Sequence, residues 1–261
     1  MIIPMKPKVS VFVIATNTYT EYAYGLIQSA LKWINEGFHV RFIILTDEEF
    51  IVPELNKGTQ SVEVVSFQIP PYGWPEATLM RFHLMMDHRE HATGDIVMYL
   101  DADTEIVAPL KFDDLMQICM LPGSNGFTPV SHPGYYKRSL PLRLFNKTKF
   151  GPWETDRASV AYVPIKFRQN YVCGGVFWGL NEAFFQLCTH LKAKIDVDIQ
   201  NGITAKHHDE SHLNNWFVSH STISASPEWA YAQGYRNLSG LQPKIEVIHK
   251  PQSFVRIPTK T

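Results

Sequence analysis

Ile96-Val97-Met98-Tyr99-Leu100-Asp101-Ala102-Asp103 is an unbroken apolar run that stops on two carboxylates one residue apart. A short run without polar interruption is the pattern of a strand buried on both faces. Moving toward the N-terminus, Val62-Glu63-Val64-Val65-Ser66-Phe67, Val40-Arg41-Phe42-Ile43-Ile44-Leu45 and Val9-Ser10-Val11-Phe12-Val13-Ile14 are strand-like too. Between them, Ala23, Leu26, Ile27, Ala30, Leu31 and Ile34 repeat at helical spacing with Gly37 as the stop, and a second helix is expected from about Glu76 to His88. The order strand, helix, strand, strand, helix, strand predicts a largely parallel α/β sheet covered by helices over residues 8–103. Such sheets take ligands beyond the carboxyl ends of their strands, which is where Asp101 and Asp103 fall.

Downstream the rhythm breaks. Pro133, Gly134, Pro141, Gly151, Pro152 and Pro164, set among aromatic and basic residues, predict a long ordered loop over 131–169 that forms a binding wall. Tyr171 to Gly179 reads as a strand carrying glycines. Asn181 is placed to cap a helix with Phe184, Leu187, Cys188 and Leu191 on its apolar face, and another helix is expected near Asp209. No repeat or charged linker divides the chain, so one domain over 1–261 is expected, with about 250–261 as a closing tail.

The 261 residues carry 45% hydrophobic and 13% aromatic side chains and a formal charge of −1, which describes a folded chain and argues against a polyanion-binding surface for nucleic acid. No stretch approaches the roughly 18 apolar residues of a membrane span, and Met1 to Ser10 lack a signal-peptide core. Three cysteines, Cys119, Cys173 and Cys188, match no zinc or redox spacing and predict reduced thiols. A soluble cytoplasmic protein is the resulting expectation, in which the sequons at Asn146 and Asn237 stay unused.

Four groups of residues carry chemistry. Asp101 and Asp103 can share a hard divalent cation with water and phosphate oxygens. At roughly 4 Å and an effective dielectric of about 20, each unit-charge pair is worth about 4 kcal/mol, enough for a bridging dication to support a diphosphate leaving group. A strand-ending Asp that caps a turn explains the same residues. So does a phosphatase of the haloacid dehalogenase type, whose pattern asks for Thr or Val where Glu105 stands. In His207-His208-Asp209-Glu210-Ser211-His212-Leu213-Asn214, Glu210 shares a helical stripe with Leu213, Asn214 and Phe217, so an acid in the first turn points inward, costly unless used or paired. A zinc-protease reading of His208 and His212 lacks its Glu, Asp209 being one methylene shorter. In Cys173-Gly174-Gly175, glycines within a strand leave room for a hexose, for a bulge or for tight packing. Lys250 and Arg256 are cations that suit phosphates, or simply a solvated terminus.

Together these stretches resemble glycosyltransferase family 6, the group containing the histo-blood-group A and B transferases and the α-1,3-galactosyltransferase, from roughly Val9 to Arg256. The most specific match is His208-Asp209-Glu210-Ser211-His212-Leu213-Asn214, preceded by Asp198-X-X-Asn201-Gly202-Ile203-X-Ala205 and followed by Ser226-Pro227-Glu228. Trp74 to Arg81, Asp101-Ala102-Asp103, His132-Pro133-Gly134 and Ala161-Tyr162-Val163-Pro164 also match. The resemblance implies a GT-A fold, a single Rossmann-like domain with a mostly parallel mixed sheet flanked by helices. It implies a retaining transferase moving α-linked GalNAc or galactose from a UDP-sugar to the 3-OH of a galactoside-type glycan acceptor. By position, Phe12, Val13, Ile14 and Tyr19 would line the uracil and ribose pocket, Arg81 would touch the donor, and Asp101 and Asp103 would hold Mn2+ or another divalent cation. Lys250 and Arg256 would clamp the diphosphate, Asp209 would bind the transferred sugar, and Glu210 would lie beneath the anomeric carbon. Cys173, Gly174 and Gly175 fall at donor-contacting positions, where small residues favour GalNAc over galactose, and His132 and His207 fall at acceptor-contacting ones.

The departures bear on the acceptor: His207 replaces a Trp, Pro152 a Thr and Ala232 an Asp. The membrane anchor and stem of mammalian members have no counterpart here, which implies a compact microbial or viral form. Retention requires either two inversions through an adduct on Glu210, or acceptor attack from the leaving-group side with Glu210 supporting an oxocarbenium-like transition state. The competing reading is a UDP-sugar-binding protein that only hydrolyses its donor.

Overall fold

The computed structural model describes residues 6–34, 37–52, 61–136, 151–220, 222–235 and 238–250. Strands β1 (Lys8–Ala15), β2 (His39–Thr46), β3 (Val62–Gln68) and β4 (Ile96–Leu100) pair in parallel, in the order β3-β2-β1-β4. This is the parallel frame expected for residues 8–103. Two later strands, β6 (Phe127–Ser131) and β7 (Val172–Leu180), complete a six-stranded mixed sheet, with β7 antiparallel to both β4 and β6. A small antiparallel pair, β5 (Thr104–Ile106) with β8 (Ile245–Val247), returns the C-terminal part of the chain to the end of β4.

Strand alternation divides the core into two layers. Val9, Val11, Val13 and Ala15 face helix α1 (Tyr19–Trp33) through Ala23, Leu26, Ile27 and Ala30, in a layer that also takes Leu115 and Cys119 of α4 (Phe112–Cys119). Phe12 and Ile14 face the opposite layer, filled by Phe82, Phe177, Phe184, Leu213 and Phe217. These last come from helices α3 (Arg81–Asp87), α5 (Asn181–Gln200) and α6 (His208–His220) and from β7. Each fully buried side chain of this size stabilises the fold by about 1.5–3 kcal/mol.

Three local expectations are corrected. Helix α1 stops at Trp33, short of Gly37, because Ile34 turns extended and bridges Leu110 while its N–H still donates to Ala30 O. The helix expected over 76–88 is two pieces, α2 (Glu76–Leu79) and α3, divided at Met80. Asn181 is the first residue of α5 and not its cap: its side-chain amide donates to Ala92 O and Gly94 O, tying the helix to the turn before β4. Of the expected 131–169 loop, 151–168 contains only a 3₁₀ turn at Ile165–Phe167; Pro141 lies outside the described residues, as do Asn146 and Asn237. Cys119, Cys173 and Cys188 are free and buried. Among the described residues, no helix is long and apolar enough to cross a membrane.

Candidate active site

The carboxyl ends of β1 and β4 open onto a cleft of about 150 Å³. Of the residues singled out in the sequence, Ile14, Tyr19, Arg81, Asp101, Asp103 and Lys250 line it. Asp101 leaves β4 with its N–H donating to Gly175 O at 2.8 Å. Its Oδ1 accepts from the Tyr99 hydroxyl at 2.9 Å and from Arg81 Nη2 at 3.1 Å. Asp103 is 5% exposed and accepts the Ile248 N–H at its backbone oxygen, so the chain leaving β8 is laid against it. Lys250 follows, its ammonium ion-paired to Asp103 Oδ2 and 5.0 Å from the Tyr19 ring centroid. Burial and the neighbouring Asp101 push the Asp103 carboxyl up against the opposing pull of Lys250. Burial works against the Lys250 charge, and Asp103 more than offsets it.

The second half of the site is the start of α6 lying against the glycines of β7. Two acids in a first helical turn are favoured by the exposed N–H groups there. The Glu210 carboxylate accepts from Tyr171 Oη at Oε1 and from the Gly174 N–H at Oε2, both at 2.7 Å. Burial raises the Glu210 carboxyl above its ordinary range, against the opposing pull of these two donors. Burial, reinforced by Glu210, drives the Tyr171 phenol well above its ordinary range, so it stays a donor.

Arg81 joins the halves. Its Nη1 reaches Gly174 O and lies 2.7 Å from Asp209 Oδ2, Nη2 reaches Asp101, and the guanidinium sits 4.4 Å from the Tyr99 ring centroid. Burial opposes its charge, but Asp209, Tyr99, Asp101 and Glu210 outweigh burial and hold the guanidinium above its ordinary range. Three carboxylates thus share one buried cation. The imbalance shows at Asp209, 3% exposed, which burial together with Asp101 and Glu210 pushes up to about 7 in spite of Arg81. His208, at φ +47°, carries the chain into α6 in the left-handed region, its Nδ1 3.1 Å from Thr78 Oγ1 and its ring edge-on to Trp74.

Gly174 and Gly175 of β7 lie against the charged cluster. A Cβ on Gly174 would meet Arg81 Nη1 at 3.2 Å and Glu210 Cβ at 3.2 Å, and one on Gly175 would collide with the Asp101 carboxylate, 3.1 Å from Cγ. They make room for the charged cluster itself. Phe12 and Val13, expected in a nucleoside pocket, are each 0% exposed and point into the two core layers; Ile14, on the same face as Phe12 but two residues nearer the carboxyl end of β1, reaches the cleft. The Cys173 thiol likewise packs in the core, where burial, then Glu210, push it up to about 12. His132 lies tilted beside Tyr135 and edge-on to Tyr171 and accepts the Gly134 N–H at Nδ1; burial, then His207, lower it to about 4, so its proton is on Nε2 at neutral pH. His207 is near enough to influence both His132 and Glu210. Arg256 lies outside the described residues.

Several side chains not singled out for a site also line the cleft: Thr16, Asn17, Tyr72, Trp74, Thr78 and Tyr99. Tyr99 was legible in principle, since residues two apart on a strand share a face, and Thr16-Asn17-Thr18 is a polar step directly after β1. Tyr72 carried no local signal.

A mixed sheet flanked by helices, a cleft beyond the ends of its central parallel strands and a carboxylate pair directly after one of them define a GT-A-type fold. The chain belongs to glycosyltransferase family 6, whose sequence profile matches residues 3–256. It is 27% identical over 233 residues to the human globoside alpha-1,3-N-acetylgalactosaminyltransferase 1, covering 87% of this chain and 62% of that protein. It is 25% identical over 249 residues to the rat histo-blood group ABO system transferase 1, covering 94% and 67%. To the Escherichia coli O-antigen biosynthesis glycosyltransferase WbnI it is 23% identical over 230 residues, covering 87% and 89%. The chain therefore spans about 62% of the length of the globoside transferase.

Proposed function

We propose that this chain is a retaining glycosyltransferase that moves α-linked GalNAc or galactose from a UDP-sugar to the 3-OH of a galactoside-type acceptor, with a divalent metal. Family membership and the activities for which the relatives are named support the reaction class. The observation that carries the assignment to this site is the convergence of Asp101, Asp209 and Glu210 on Arg81. Cleaving the bond between an anomeric carbon and a diphosphate oxygen builds positive charge on the sugar and negative charge on the leaving group. A cluster with more carboxylates than cations suits the first, and Lys250 on the cleft wall suits the second.

Two hard oxygen donors, Asp101 and Asp103, border the cleft, and Asp103 already pairs with an ammonium group, so this donor set fits a divalent cation. Among the described residues, no three of His, Cys, Asp and Glu converge on a metal position, so diphosphate and water would supply the other ligands. A bound cation would offset charge on the departing diphosphate. Glu210, held by Tyr171 and Gly174, would face the anomeric carbon, with Asp209 and Arg81 on the transferred sugar. Ile14 and Tyr19 would contact the nucleoside, and His132 and His207 the acceptor. We read the chain as one catalytic domain over 1–261.

The test is UDP release from a panel of UDP-sugars with and without Mn2+, in the presence and absence of simple galactosides. Release from UDP-GalNAc or UDP-Gal that needs the metal and rises with acceptor is expected. Glu210→Ala should lower turnover by about 10²-fold or more with donor binding retained, and Asp103→Asn should lose the Mn2+ stimulation of donor binding. Release that no acceptor accelerates would replace the transferase reading with donor hydrolysis alone, and no binding of any UDP-sugar would end both.

A further inference from the structure

Strand β4 ends at Leu100, opposite Val176 of β7, and Asp101 N–H takes one more carbonyl, that of Gly175. Beyond that point β7 continues for several residues with β6 on one edge only. Its other edge is completed by side chains. Gly174 N–H donates to Glu210 Oε2, and Gly174 O accepts from Arg81. Two residues earlier, Val172 N–H donates to Asn214 Oδ1 at 2.9 Å, and Val172 O accepts from Asn214 Nδ2 at 2.8 Å. An asparagine amide presents one donor and one acceptor, as a peptide group does, and here Asn214 takes the place of a strand residue. It is 1% exposed, and its Nδ2 also donates to Glu210 O at 2.8 Å, clasping the turn of α6 that carries the acid.

The spacing makes this a register device. Glu210 and Asn214 are four apart on a helix, about 6 Å of rise, and Gly174 and Val172 are two apart on a strand, about 6.6 Å. The two periods nearly coincide, so locking Asn214 on Val172 delivers Glu210 to the Gly174 N–H and leaves Tyr171, the neighbour of Val172, in reach of Oε1. We propose that Asn214 is a positioning residue for the transfer reaction: through the paired bonds to Val172 it sets Glu210 against the Tyr171 and Gly174 donors that orient its carboxylate. This rests on the proposed role of Glu210. Asn214 lies outside the donor cleft, so its loss is felt at the orientation of Glu210 and not in nucleotide affinity.

The experiment measures kcat, donor KM, UDP affinity by calorimetry and melting temperature for wild type, Asn214→Ala, Asn214→Asp, Glu210→Ala and the double variant Glu210→Ala/Asn214→Ala, at enzyme concentrations that read residual turnover. A displacement of the acid by about an ångström lowers kcat of Asn214→Ala by roughly 10- to 100-fold, with donor KM and UDP affinity within about 3-fold of wild type. In the Glu210→Ala background the same change costs nothing further, within about 3-fold, since the group it positions is gone. Asn214→Asp covers the case in which the alanine variant does not fold: it keeps the shape and the acceptor for Val172 N–H, loses both Nδ2 donations, and also loses kcat at retained UDP affinity. Wild-type kcat in either folded variant overturns the inference, as does a loss confined to UDP affinity or one that multiplies with that of Glu210→Ala. If Glu210→Ala is inactive while both Asn214 variants are wild type, the inference fails and the reading of Glu210 stands. Wild-type turnover in Glu210→Ala overturns that reading and this inference with it.

Discussion

At the scale of single residues the site is set by what is small as much as by what is charged. Gly175 has no side chain because the Asp101 carboxylate occupies the space a Cβ needs, and Asp101 cannot retreat freely while Tyr99 and Arg81 hold its Oδ1. Gly175→Ala should therefore displace Asp101 at a cost of about 1–3 kcal/mol, the range for overpacking a filled site. Titration calorimetry is expected to show Mn2+-stimulated UDP binding weakened by roughly 10-fold, about 1.4 kcal/mol. Metal-stimulated affinity equal to wild type would mean that Asp101 can shift without consequence. Tyr171 and Tyr99 do related work, each holding one carboxylate oxygen through a phenol that burial keeps protonated.

Among elements, the start of α6 depends on the 151–168 loop and α5 behind it. Asp198 of α5, 1% exposed, accepts from Ser159 Oγ at 2.6 Å and from Val160 N–H at 2.9 Å, and His212 Nε2 of α6 lies 3.3 Å from the same carboxylate. Glu154 of the loop accepts the Lys206 and Asp156 N–H groups, fixing the approach to α6. One buried carboxylate thus gathers loop and both helices. Asp198→Ala leaves a buried hydroxyl and N–H without an acceptor, a cost of about 2–3 kcal/mol. The expected result is faster proteolytic cleavage and faster amide exchange within 151–168. Cleavage at the wild-type rate would assign the ordering of the loop to its apolar contacts, Trp153 and Val163 against Tyr171.

For the molecule as a whole, acid stability reports on the same packing. His212, 2% exposed, is lowered to about 4, first by burial, against the opposing pull of Asp198. A histidine is ordinarily half-protonated near pH 6.5, so the unfolded chain takes up this proton before the folded one does. Its contribution is complete above about pH 6.5 and is lost as pH falls toward about 4. Between pH 7 and pH 5 that amounts to about 2 kcal/mol, which His212→Gln should remove, so the variant loses less melting temperature over this interval than wild type. Equal losses in the two proteins would show that His212 is as readily protonated folded as unfolded. Asp209 acts in the other direction: with its carboxyl raised to about 7, its contribution is lost as pH rises through that value.

Local order was readable from the chain because it depends on neighbours two to four residues away. Periodicity placed β1, β2, β3, β4 and the helix after β1, and the acidic pair after Leu100 and the acids Asp209 and Glu210 stood out for the same reason. Contacts between distant segments were not readable. That Phe12 and Val13 face the core follows from β1 lying inside the sheet with a packed layer on each face; that Gly175 yields to Asp101, and that Tyr171, Gly174 and Asn214 surround Glu210, follow from β7 running antiparallel beside β4 and outlasting it at one edge. The residues and their chemistry were written in the sequence. Which of them meet was decided by strand order and strand length, because hydrogen bonds left open where β4 stops must be closed by whatever side chains the tertiary fold brings there.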